Sequence, residues 1–231
     1  SDINWMRDRF DYLSEDSQSI INSYLTVKPT INIALPLGKF ILYPCAYALW
    51  RRQTINDFID ARWSGGASLP ISIDISSRQS FNLVPEFNMT APSFGNLNPV
   101  ILRKTEIDAV RGNERLGYSK NMSVQAMYAY SFRTWLSANI NAVFSHETSP
   151  VIPVYTPGTD SDMRHLMIRG FENNGTMTRG ELSLSLTGHY FNNSLMVYVW
   201  GNVCKVIRTG KYGRQRHAAR LNANASYNIG N

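Results

Sequence analysis

From Leu25 onward the chain alternates apolar and polar residues with a period of two, the spacing at which successive side chains of a β-strand point to opposite faces. Between Leu25 and Leu35 the odd positions are Leu, Val, Pro, Ile, Ile and Leu, and the even ones are Thr, Lys, Thr, Asn and Ala. Phe40 to Trp50 is apolar on both faces, which suits a strand covered on both sides or one at an aromatic girdle. Ile71–Ser76 and Phe81–Thr90 alternate again, close enough together to predict a hairpin. A second hairpin is predicted where Met122, Val124, Ala126, Tyr128, Tyr130 and Phe132 alternate against smaller or polar residues. Its turn is at Arg133-Thr134, and Leu136, Ala138, Ile140, Ala142 and Phe144 form the other arm. Leu182, Leu184 and Leu186 against Ser183, Ser185 and Thr187, a turn at Asn192-Asn193, a strand from Leu195 to Ile207, and the run Leu221 to Ile229 complete the pattern.

Three stretches break it. Residues 1–24 mix Ile3, Trp5, Met6, Phe10 and Leu13 with acidic residues and serines, which predicts a short helix or irregular loop ahead of a β portion over 25–231. Residues 91–120, rich in Pro, Gly, Asn and charge, and residues 145–162, with Pro150, Pro153, Pro157 and Gly158, read as long connections. Short turns thus alternate with long loops (145–180, 208–219), and the strands reach ten or more residues. Soluble sheets have strands of about 5–6 residues, whereas outer-membrane barrels combine long strands with short turns on one side and long loops on the other. The predicted fold is all-β: an antiparallel transmembrane β-barrel portion of about 8–10 long strands. A soluble secreted β-sandwich that binds glycan or another surface has the same alternation and stands as the alternative.

Composition sharpens this picture. Charged residues are only 17% of the chain, against about 25% in soluble domains, while hydrophobic residues reach 43% and aromatics 12%. No run of about 18 apolar residues exists for a transmembrane helix, but a barrel strand needs only about 9–11 residues and hides half its signal by alternating. The net charge of +6 raises the question of an anionic partner. The basic residues are scattered, and the densest cluster, Lys211 to Arg220, lacks an aromatic stacking ladder, so it reads as a solvated loop or headgroup contact and no nucleic-acid partner is predicted. Cys45 and Cys204 lie far apart with no ligand-like spacing, leaving one long-range disulfide or two buried free thiols open. His146, His165, His189 and His217 sit singly, with no HExxH, GxSxG or Gly-rich phosphate loop, so neither catalysis nor a metal or other cofactor is predicted.

Several segments carry a family likeness. Phe81 to Thr90 running into Ala91-Pro92-Ser93-Phe94-Gly95-Asn96-Leu97-Asn98-Pro99, then Gly112-Asn113-Glu114-Arg115-Leu116, resembles the barrel of TonB-dependent receptors of the Bacteroidetes. Pro150 to Pro157, Phe171 to Arg179 and Leu182 to Phe191 look similar to it as well, so the resemblance covers roughly residues 70–231. Glu114 stands where the family has Pro, and nothing resembles the plug domain, the TonB-contacting box or the terminal aromatic strand. The resemblance implies a section of a barrel of about 22 strands, located in the bacterial outer membrane and serving nutrient uptake of a glycan, peptide or chelate. Its implied partners are outer-membrane lipid, TonB acting through a plug, and a surface substrate-binding lipoprotein. On that reading the loop and lumen residues Tyr155, Arg164, Arg169, Phe171, Asn173 and Asn174 are the candidate ligand contacts, because aromatic stacking and Arg or Asn hydrogen bonds suit such cargo.

Overall fold

The computed structural model describes residues 2–11, 19–55, 58–98, 101–103, 108–133, 135–159, 165–190 and 195–227. Strands β1 (Asp2–Asp11) and β2 (Ser19–Lys28) form a hairpin, followed by the short β3 (Thr30–Asn32), β4 (Leu35–Leu37) and β5 (Phe40–Leu42). Next come β6 (Cys45–Ile55), β7 (Phe58–Ser68), β8 (Ile71–Ser76) and β9 (Gln79–Thr90). One helical turn, α1 (Phe94–Leu97), and strands β10 (Ile101–Arg103) and β11 (Asp108–Arg111) lead to β12 (Ser119–Arg133) and β13 (Leu136–Thr148). The chain continues through β14 (Val151–Thr159), β15 (His165–Asn173), β16 (Thr176–Tyr190), β17 (Leu195–Arg208) and β18 (Arg214–Tyr227).

The large sheet has fourteen strands and is antiparallel throughout: its main path runs β1-β2-β6-β7-β9-β12-β13-β16-β17-β18, ten long strands, in line with the about 8–10 long strands expected from sequence, and the short β3, β4, β5 and β8 pair beside it. At about 3.3 Å per residue, the 15-residue β16 is roughly 50 Å long, enough to cross a hydrocarbon layer of about 30 Å even when tilted. Both predicted hairpins form: Met122 lies opposite His146 and Val124 opposite Phe144, and Ile71 lies opposite Leu83. The Asn192-Asn193 turn and Ile229 lie outside the described residues.

The expected helix or loop over 1–24 is replaced by β1 and most of β2, paired residue for residue from Asp2 with Lys28 to Asp11 with Ser19. The period-2 signal is weak there because apolar residues fall on both parities of β1 (Ile3 and Trp5, then Met6 and Phe10), so backbone pairing rather than patterning defines the hairpin. The single alternating run from Leu25 to Leu35 is split in the structure. Proline has no N–H to give a ladder, and Pro29 ends β2, its carbonyl accepting instead from Ala48 N at 3.2 Å. The stretches expected as long loops are also partly strand: β10 and β11 from 91–120, β14 and β15 from 145–180, and the start of β18 from 208–219.

Side chains divide by parity. Met122, Val124, Ile140, Phe144, Leu182, Leu184, Leu186, Val203 and Leu221 are exposed, Phe144 at 55%, Val203 at 61% and Leu221 at 77%. They share one face, since Val124 pairs with Phe144, Ile140 with Leu184, Leu182 with Val203, and Gly201 with both Leu184 and Leu221. The opposite face is knit by polar contacts: Gln125 Nε2 donates to Asn141 Oδ1 at 3.0 Å, Ser119 Oγ to Glu147 Oε1 at 2.6 Å, and the Tyr47 hydroxyl to Asn88 Oδ1 at 2.9 Å. Left in water, the nine exposed side chains would forfeit on the order of 10 kcal/mol, comparable to the whole stability of a domain (about 5–15 kcal/mol). A sandwich would cover this face with a second sheet; among the described residues it is open. A barrel wall with its apolar side toward lipid resolves the mismatch.

This division predicts a pair of opposite outcomes for neighbours on β16. Leu184→Arg should cost about 2–4 kcal/mol in a lipid-embedded sample, whereas Ser185→Arg on the other face should stay within about 0.5 kcal/mol. Urea unfolding in lipid vesicles followed by far-UV circular dichroism measures both, and equal costs would mean that the faces do not meet different solvents.

Candidate functional site

The long connections leave the sheet from one end. Thr90 of β9 pairs with Ser119 of β12, and Thr148 of β13 pairs with Thr176 of β16, so segments 91–118 and 149–175 both start and finish there. The short turns after Ser76 and Arg133 lie at the other end. The two segments join in a second sheet, β10-β11-β15-β14, in which β11 pairs parallel with β15: Asp108 with Met167, Ala109 with Ile168 and Val110 with Arg169.

The hydrophobic core of the described residues lies in and beside this small sheet: Ala91, Leu97, Ala109, Val110 and Leu116 are its buried apolar members, with Leu97 fully enclosed. Gly112 is needed where it stands, because an added Cβ would lie 2.3 Å from the Asn98 carbonyl oxygen, to which the Gly112 amide donates at 2.6 Å. Asn113 donates from Nδ2 to the Phe171 carbonyl at 3.0 Å and from its amide to the Asn96 carbonyl at 2.7 Å. Motif residues that caught attention in the sequence, Leu97-Asn98 and Gly112-Asn113 with Leu116, thus meet as one structural unit.

Arginines on the polar face of the large sheet hold that unit down. Arg51 on β6 and Arg62 on β7 are cross-strand neighbours, a pairing of like charges that needs compensation. Buried Asp60 supplies it, accepting from Arg62 Nε at 2.7 Å. The remaining donors of the fork reach across to the connection: Arg62 bonds the Leu116 carbonyl and, at 3.3 Å, that of Glu114, and Arg51 bonds the Pro92 carbonyl. Ser64 Oγ accepts the Ala91 amide at 3.1 Å, and the Tyr118 ring lies 6.0 Å from the Arg62 guanidinium. Because Arg51, Arg62 and Ser64 project from the polar side, the loop unit folds over that side.

The sequence-derived candidates fall into two groups. Tyr155 on β14 is 60% exposed and pairs across the strands with Arg169 on β15, whose guanidinium lies 5.8 Å from the Phe171 ring. The Arg169 Nε is buried without a hydrogen-bond partner among the described residues. Asn173 and Asn174 have their side-chain amides engaged within the protein. Asn173 accepts the Gly117 amide at 2.6 Å and donates to the Ser149 carbonyl at 2.8 Å; Asn174 donates to Glu172 at 2.8 Å and accepts the Lys211 amide at 3.1 Å. Arg164 lies outside the described residues. The structure brings together Tyr155, Arg169 and Phe171 and sets the two asparagines at the seam between loops. The clamp of Arg51, Asp60 and Arg62 was not singled out from sequence; its one signal there is Asp60 and Arg62 at alternate positions.

Both thiols are free and half-exposed rather than buried. His146 Nδ1 lies 2.8 Å from Thr178 Oγ1 and His217 Nε2 lies 2.7 Å from Gln215, so each has a local polar partner.

No protein-family model matches the sequence, and no curated protein does. Solved structures do match. The FrpB iron transporter from Neisseria meningitidis (F3-3 variant) superposes with a TM-score of 0.58 at 13% identity, over 84% of this chain and 27% of that one. The siderophore receptor PirA from Pseudomonas aeruginosa gives 0.53 at 11% identity, over 91% and 52%. The ferric enterobactin receptor PfeA, from the same organism, gives 0.51 at 13% identity, over 92% and 48%. The fold is that of an antiparallel β-barrel. The chain spans between about a quarter and a half of the length of these structures, 27–52%.

The clamp yields a prediction. Arg62→Ala removes charge-assisted bonds worth about 1.5–3 kcal/mol and leaves Asp60 buried without its cation, so amides of 109–117 should exchange with deuterium faster while those of β16 and β17 hold. Arg62→Lys should fail to restore protection, since a single ammonium cannot reach both carbonyls and Asp60 at once; full rescue by Lys would show that charge alone suffices.

Proposed function

We propose that this chain is part of an outer-membrane receptor and transport barrel that takes up a nutrient without catalysing a reaction on it, driven by TonB acting through a plug. The observation that carries this reading is the inverted side-chain division of the large sheet, apolar outward and polar inward, with a folded loop unit held over the polar side. Likeness of fold to an iron transporter, a siderophore receptor and a ferric enterobactin receptor supports a chelate among the proposed cargo classes of glycan, peptide and chelate. Tyr155, Arg169 and Phe171 are the loop residues proposed to touch cargo. Their aromatic surfaces and cationic group sit together on one hairpin. Arg164 is proposed with them on its position in the same connection. Asn173 and Asn174 belong to the proposed site through the seam they close. A surface lipoprotein that lids the barrel is the proposed external partner.

Binding to the full-length protein in detergent, titrated against ferric chelates, oligosaccharides and peptides in turn, tests the reading. One class should bind, and Tyr155→Ala should weaken it about tenfold (about 1.4 kcal/mol) with the fold unchanged by circular dichroism. A chain that is monomeric and folded in plain buffer would overturn the membrane reading and leave the soluble β-sandwich.

A further inference from the structure

A second feature lies on the polar face, away from the loop hairpin. At the centre of a shallow cavity of about 280 Å³ are two small side chains, Cys204 of β17 and its cross-strand neighbour Ala218 of β18. Long side chains surround them: Arg216 and Arg220, two residues to either side of Ala218 on the same face, with Arg179 and Trp200. The depression follows from that size contrast on a pleated surface, where residues i and i±2 stand side by side.

Its charge is unbalanced. Glu181 is the cavity's carboxylate, and both its oxygens are occupied, one by Arg179 and one by Asn202 Nδ2. Arg216 and Arg220 are exposed, and neither guanidinium has a partner among the described residues. Two uncompensated forks that match carboxylate or phosphate geometry thus stand around a recess large enough for a small ligand, with an indole on its rim. Lipid headgroups are not the fitting occupant, because the apolar face is the reverse side of these strands: Val203 and Leu221, next in sequence to Asn202 and Arg220, are 61% and 77% exposed there. We propose that this cavity is a subsite for a soluble anionic group, carboxylate or phosphate, held by Arg216 and Arg220 on the lumen wall. It rests on the proposed barrel reading for the word lumen, and adds that cargo passing this wall carries negative charge.

Cys204 makes the subsite testable without knowing the cargo. The full-length protein in detergent is treated with two methanethiosulfonates of matched size, one bearing a sulfonate and one a quaternary ammonium. Each forms a mixed disulfide with the thiolate and releases methanesulfinate. Peptide mass spectrometry follows modification at Cys204, with Cys45, on β6, as the internal reference for the protein's overall positive charge. The anionic reagent should modify Cys204 about tenfold faster than the cationic one, well beyond the ratio at Cys45, and inorganic phosphate should slow it more than chloride at equal ionic strength. The double variant Arg216→Gln with Arg220→Gln should bring the ratio down to that of Cys45. A wild-type ratio no greater than at Cys45, or phosphate acting no differently from chloride, overturns the proposal whether or not the variant folds. Failure of cargo transport would leave these rates unchanged, so the two readings fail separately.

Discussion

Every backbone N–H and C=O of a long strand has to find a partner, and the large sheet is organised by that requirement. From β9 to β18 the ladders run in long registers: β12 pairs along nearly its full length with β9 on one side and β13 on the other, and β16 does the same with β13 and β17. Once the backbone is satisfied this way, parity alone sorts the side chains. Leucine, valine and phenylalanine stand on the side that needs no hydrogen bonds, and Gln125, Asn141, Glu181 and Asn202 stand where they can bond one another.

A wall of this kind has little interior of its own, which explains where the buried residues are. Leu97, Val110 and Leu116 are enclosed because the two long connections pack together at one end of the sheet, not because the sheet packs on another layer. That unit is small, and polar anchors tie it to the wall. Arg51 and Arg62 bond backbone carbonyls of the connection, which positions it. An arrangement anchored through a few hydrogen bonds can reposition at modest cost.

The polar face carries two arginine settings with different consequences. At β6 and β7, Asp60 and main-chain oxygens engage guanidinium donors of Arg62 and Arg51, and the arginines serve structure. At β18 the neighbouring carboxylate is already taken by Arg179 and Asn202, so Arg216 and Arg220 keep their donors. The residue type is the same, and the number of acceptors within reach decides the role.

Alternation in the sequence was enough to determine that the chain is β, where most of its longest strands run, and that two tight hairpins form. These are local properties, since a period of two needs only neighbouring residues to be read. The strand character of 1–24 was not legible because apolar residues fall on both parities of β1. What fills the connections was also hidden, because β11 and β15 are joined by parallel pairing between residues nearly sixty positions apart, such as Val110 and Arg169. Only the tertiary structure decided that Leu97, Gly112-Asn113 and Leu116 form one packed unit, that Asn173 and Asn174 close the seam between loops, and which arginines are matched. Partnership across strands depends on register, and a shift of one residue would exchange the lipid face for the polar one, which no local pattern specifies.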